Sequence, residues 1–119
     1  MLRRLLPPLA ALGAALVLAG GATAVTPKLV GTDGPDFTIK VTKAGAAVKA
    51  LTAGTYTLVV RDKSSAHNFH LIGPGLNKKT GVGFTGTQTW TVTLKRGTYT
   101  FQCDVHALSG MKGAFKVRG

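Results

Sequence analysis

Cys103, His106 and Met111 stand within nine residues, in the run Cys103-Asp104-Val105-His106-Ala107-Leu108-Ser109-Gly110-Met111, so a thiol, an imidazole and a thioether share one short loop. These residue types are scarce here: one cysteine, three histidines, and two methionines of which one is the initiator. His67, upstream, offers a second imidazole. Two imidazoles, one thiolate and a weak axial thioether make the trigonal copper site used for single-electron transfer. Thiolate and thioether suit Cu(I) while imidazole serves both oxidation states, so a site of intermediate geometry changes little when an electron arrives or leaves. A lone buried cysteine or methionine is ordinarily packing material. It is the joint spacing that points to a metal.

The loop reads C-x2-H-x4-M, and with the upstream pair His67-Asn68 it resembles the cupredoxin family, its plastocyanin and pseudoazurin branches above all. The resemblance covers roughly residues 37 to 119. It implies that His67, Cys103, His106 and Met111 bind one copper ion per chain, and that Asn68 braces the ligand loop through its side-chain amide. It also implies that His106 protonates and leaves copper in the reduced state, so that the reduction potential rises as pH falls. His70, which turns the upstream segment into His-Asn-Phe-His, has no role in the family pattern.

The N-terminus sets the compartment. Arg3 and Arg4 precede an apolar run from Leu9 to Leu18 and a small-residue ending, Ala22-Thr23-Ala24, which together read as a secretory signal peptide over residues 1–24. The apolar run is shorter than the roughly 20 residues a spanning helix needs, so no transmembrane segment is expected after cleavage. Export places the protein in the periplasm, the cell envelope or outside the cell. The remaining chain, residues 25–119, suffices for one small domain, and a single cysteine gives it no internal disulfide. Metal ligation gives an exported cysteine a purpose and adds binding energy to the folded state. Residues 25–36, with glycine and proline among polar residues, read as a flexible leader before a domain at 37–119.

The elements that must position the ligands read as strands. Apolar residues alternate at Phe37, Ile39 and Val41; at Tyr56, Leu58 and Val60; at Trp90, Val92 and Leu94; at Tyr99, Phe101 and Cys103; and at Phe115 and Val117. With the segment 66–72 they predict an all-β, antiparallel Greek-key sandwich. The period of two sorts the histidines: His67 shares a face with Phe69 and Leu71, whereas His70 falls on the other face with Asn68 and Ile72. His67 is therefore expected to face the core at the start of a strand, Cys103 to face it at the end of another, and His70 to be an ordinary surface histidine.

Charge is the second strong signal. The chain has fifteen basic residues against four aspartates and no glutamate. Two of the fifteen lie in the signal segment, which leaves a net charge of +9 after cleavage. Such a surface attracts acidic redox partners or an anionic envelope, with association that weakens as salt rises. Export and the lack of clustered arginines or interleaved aromatics speak against nucleic acid. Lys78, Lys79, Lys95 and Arg96 are expected at the end of the sandwich opposite the metal, with Lys63 and Lys112 at the metal rim and Val105, Ala107 and Leu108 as an apolar docking face around His106.

The function expected is a monomeric, exported electron carrier. The alternative is an envelope copper chaperone or storage protein using the same ligands, with His70 as an accessory. A zinc-binding structural sandwich is a third reading. A multicopper enzyme would need further ligands that the chain lacks, since it has no His-x-His pair.

Overall fold

A computed structural model describes residues 25–119, and the signal-peptide segment lies outside them. The strands, in chain order, are β1 (Lys28–Asp33), β2 (Ile39–Lys43), β3 (Ala46–Ala47), β4 (Ala50–Thr52), β5 (Gly54–Asp62), β6 (His70–Gly73), β7 (Leu76–Lys79), β8 (Gly86–Leu94), β9 (Gly97–Gln102) and β10 (Lys112–Arg118). They form two five-stranded sheets, ordered β3-β2-β1-β5-β8 and β4-β10-β9-β6-β7. The chain changes sheet repeatedly between consecutive strands, and the two sheets face each other as a sandwich. Most pairs are antiparallel as expected, but β1 with β5 and β4 with β10 run parallel, so both sheets are mixed. No helix among the described residues is long and apolar enough to cross a membrane.

The alternating runs do what alternation dictates. Leu58 and Val60 of β5 and Trp90, Val92 and Leu94 of β8 point inward from the first sheet. Leu71, Tyr99, Phe101, Phe115 and Val117 point inward from the second. Burying each such large side chain contributes roughly 1.5–3 kcal/mol relative to leaving it in water. The rings stack in a row: Phe69 on Phe101 at 6.3 Å with 3° between planes, and Tyr99 on Phe115 at 5.7 Å. Tyr99 also ties the end remote from the metal loop, donating from its hydroxyl to Pro74 O at 2.7 Å and accepting from Lys95 N at 2.9 Å.

Two expectations fail here. The supposed leader is not a tether: residues 28–33 form β1, a central strand of the first sheet, with Leu29 1% exposed. The reason the sequence conceals it lies in its inward set, Leu29, Gly31 and Asp33, of which only one is apolar and large. Gly31 is required because the Phe69 ring lies over it; a Cβ built there would sit 2.6 Å from Phe69 Cζ. The second failure is Phe37, which precedes β2 and is 67% exposed rather than core.

Asp33 and Asp62 are the unusual part of this interior. They are in register across the parallel β1–β5 pair, and their exposures are 0% and 2%. Asp62 Oδ1 accepts from Ser64 N at 3.2 Å and its Oδ2 from Thr80 Oγ1 at 3.2 Å. No N–H or hydroxyl donor among the described residues reaches either Asp33 oxygen. Burial, and then the adjoining Asp62 carboxyl through its hydrogen bond and its charge, push the Asp33 carboxyl up to about 8. This environment favours the protonated form of Asp33.

Candidate metal centre

The C-terminal ends of β1, β5 and β9 and the N-terminal ends of β6 and β10 gather at one end of the sandwich. His67 enters this end from the loop after β5, three residues before β6 begins, so it lies outside the strand that was expected to start with it. Its burial still follows the period of two, with His67, Phe69 and Leu71 all buried. Cys103 lies one residue past β9 and is fully buried.

Beyond Cys103 the chain turns through a short 3-10 segment, Ala107–Ser109, and closes at Gly110, whose φ of 98° is the left-handed conformation that glycine adopts without strain. Backbone hydrogen bonds stitch the loop shut. Cys103 N donates to Met111 O at 3.0 Å, His106 N to Cys103 O at 3.2 Å, and Met111 N to His106 O at 3.1 Å. Met111, 2% exposed, therefore returns beside Cys103 at the base of the loop.

His67, Cys103 and His106 converge, with ligand atoms all within 4.8 Å of one another. Cys103 Sγ lies 3.8 Å from His67 Nδ1 and 3.7 Å from His106 Nδ1, and the two Nδ1 atoms are 3.0 Å apart. These spans fit one ion. Bonds of about 2.0 Å to imidazole and about 2.3 Å to thiolate, opened to a trigonal angle, separate sulfur from nitrogen by roughly 3.7 Å.

Asn68, 1% exposed, joins the upstream segment to the loop. Its Nδ2 donates to Thr80 O at 3.1 Å and to Asp104 Oδ2 at 3.0 Å, and its Oδ1 accepts from Asp104 N at 2.7 Å. Thr80 holds the neighbouring residue, since Phe69 N donates to its Oγ1 at 2.9 Å. The same hydroxyl bonds Asp62, so the acid pair in the core connects to the backbone that carries His67. Burial raises the Asp104 carboxyl, but the hydrogen bonds from His70, Gln102 and Asn68 outweigh it and bring the group down to about 2.

The rim differs from expectation in three places. His70 is no ordinary surface histidine, because Asp104 Oδ1 and Asn77 Oδ1 engage its two ring nitrogens. Lys79 is not at the far end: it pairs with His70 across β6–β7 and reaches to 4.0 Å from Asp104 Oδ2. Phe37, from the β1–β2 turn, meets His67 and His106 edge-on, with centroids at 5.3 and 4.8 Å. With Val105 (54% exposed) and Leu108 (fully exposed), Phe37 gives this end an apolar surface. From the sequence alone, Thr80 and Asp104 have no role and Phe37 belongs in the core. Only Asp104, beside the lone cysteine, carried any signal.

Neither a protein-family model nor a curated protein matches the sequence. Solved structures do match in three dimensions. Reduced rusticyanin is 22% identical over 82% of each chain with a TM-score of 0.60. Rusticyanin from Thiobacillus ferrooxidans is 21% identical over 81% of this chain and 79% of its own, with a TM-score of 0.56. Auracyanin B is 18% identical over 82% of this chain and 94% of its own, with a TM-score of 0.50. At these identities the likeness is one of architecture, and the architecture is the cupredoxin fold.

Proposed function

We propose that the protein is an exported blue copper protein that carries single electrons between redox partners. The observation that carries this reading is the convergence of His67 Nδ1, His106 Nδ1 and Cys103 Sγ at the loop end of a cupredoxin fold. Rusticyanin, which shares that fold, is itself described as a copper protein. His67, Cys103 and His106 would hold the ion, with Met111 as a further, weaker donor. Bound copper would supply a one-electron couple between Cu(I) and Cu(II). The chain supplies a rigid frame: two ligands flank or end strands anchored in the core, and the third and fourth lie on a loop closed by its own backbone hydrogen bonds. A frame that does not relax on electron transfer keeps the reorganisation small.

Partner recognition follows from the surface around His106. Phe37, Val105 and Leu108 form an apolar edge through which an electron could pass by way of the His106 ring. Basic residues lie on both outer sheet faces, among them Lys40, Arg61 and Lys63 on one and Lys49, Lys116 and Arg118 on the other. That distribution favours general attraction of an acidic partner over docking at one charged site. Export rests on the Arg3-Arg4 and Leu9–Leu18 pattern. The copper-handling alternative has less support, since the His70 ring is already engaged by Asp104 and Asn77.

The test is the visible and electron paramagnetic resonance spectrum of the purified protein with one equivalent of Cu(II), beside Cys103→Ser. The reading expects an intense blue thiolate band and narrow copper hyperfine splitting, both absent from the variant. A pale complex with ordinary tetragonal copper signals would overturn it in favour of copper handling.

A further inference from the structure

His70 bridges two elements that no backbone hydrogen bond joins. Its side chain, 12% exposed, places Nδ1 2.7 Å from Asp104 Oδ1 and Nε2 2.6 Å from Asn77 Oδ1. Asn77 belongs to β7, and Asp104 is the residue immediately after Cys103. One imidazole therefore spans from the edge of the second sheet to the first residue of the metal loop.

Asp104 is the point at which the loop is gripped. Its Oδ1 receives both His70 and Gln102 Nε2, the latter at 3.0 Å, while its Oδ2 receives Asn68 Nδ2. Its backbone N–H donates to Asn68 Oδ1. Because Cys103 and Asp104 share a peptide unit, the direction in which Asp104 is held sets the direction from which the Cys103 sulfur is presented. Gln102 comes from the same strand as Cys103 and moves with it, so it does not fix the loop to anything else. Asn68 and His70 do, and of these two only His70 reaches β7, to which Lys79 adds an exposed ion pair with Asp104 Oδ2 at 4.0 Å.

We infer that His70 is a positioning residue for the metal centre: by holding Asp104 against β6 and β7 it fixes the backbone that presents Cys103. This rests on Cys103 being the copper thiolate, yet the mechanical part of the inference is visible without any metal. A ligand set whose supporting hydrogen bonds are cut commonly loses 10- to 100-fold in metal affinity.

Three proteins decide it: wild type, His70→Phe, which keeps a ring and removes both hydrogen bonds, and His70→Asn, whose amide nitrogen takes the place of Nδ1 and keeps the bond to Asp104. In the metal-free protein, amide hydrogen exchange at Asp104 should quicken about tenfold in His70→Phe, the factor that loss of one ordinary hydrogen bond yields. The amides of β5 and β8 serve as the reference for global stability. His70→Asn should restore the wild-type ratio. In the copper-loaded protein, His70→Phe should release copper to a chelator roughly 10- to 100-fold faster and widen the copper hyperfine splitting, again with recovery in His70→Asn.

Unchanged Asp104 exchange in His70→Phe would overturn the inference, as would a His70→Asn protein as impaired as His70→Phe. Faster exchange with unaltered copper release and hyperfine splitting would overturn the positioning role specifically. A wild-type protein with no blue band would instead overturn the electron-carrier reading, with the exchange result standing by itself.

Discussion

Replacing Asp33 with asparagine should make the protein more stable at neutral and alkaline pH. Asp33 and Asp62 lie in register, both buried, and Asp33 has no donor of its own among the described residues. Its carboxyl is raised from 3.8 to about 8 by burial and by Asp62. Between those two values the folded chain retains a proton that the unfolded chain has released. Raising the pH therefore favours unfolding, with a slope of up to about 1.4 kcal/mol per pH unit from this group. The stability is fully present below about pH 4 and is lost progressively as pH climbs through about 8. A rise of roughly four units corresponds to an upper bound on the order of 5 kcal/mol, a large share of the roughly 5–15 kcal/mol by which small domains are ordinarily stable. The asparagine side chain would present a permanent N–H donor to Asp62 in the same volume and would not titrate. Urea unfolding of the metal-free protein, followed by fluorescence of the single tryptophan, Trp90, gives both curves across about pH 4 to 9. The two chains differ at residue 33 alone, so the difference between the curves reports that substitution. That difference should be small at about pH 4 and should grow to several kcal/mol in favour of Asp33→Asn by about pH 8. A difference that stays flat with pH, or one that grows in favour of the wild type, would refute a raised Asp33 carboxyl.

Three further outcomes follow from the geometry. If Met111 is the fourth donor, as proposed above, Met111→Leu should raise the reduction potential in voltammetry while the blue colour persists; an unchanged potential would take Met111 out of the coordination sphere. Gly31→Ala drives a methyl into the Phe69 ring, which Trp90 and Phe101 hold in place, and should cost about 1–3 kcal/mol in chemical denaturation; a loss under about 0.5 kcal/mol would show that the ring can yield. Leu108→Asp puts a charge on the exposed apolar edge and should slow electron exchange with an acidic partner in stopped-flow kinetics, leaving the visible spectrum intact; equal rates would remove that edge from the docking surface.

The sequence by itself determined the class of fold and singled out the three residues that the structure gathers, His67, Cys103 and His106. They were legible because their residue types are rare in this chain and chemically matched, and rarity survives without knowledge of any contact. Strands β5, β8, β9 and β10 were legible because a half-buried strand must alternate, and alternation is a property of the local chain. The tertiary structure decided whatever depends on which surface meets which. Strand β1 stayed hidden because its inward residues include Gly31, sized to the Phe69 ring, and Asp33, matched to Asp62; neither looks apolar until its neighbour is known. The parallel pairings of β1 with β5 and β4 with β10 leave no mark in either strand, since alternation reports a face and not a partner. Phe37 follows the core pattern in sequence yet lies against the two histidines, because the turn that carries it ends at the metal end of the sandwich. His70 reads as a surface residue by its parity, and it does lie on the outward face. Only the register of β6 with β7 and β9 brings Asn77 and Asp104 to its two nitrogens, and with them its place at the metal loop.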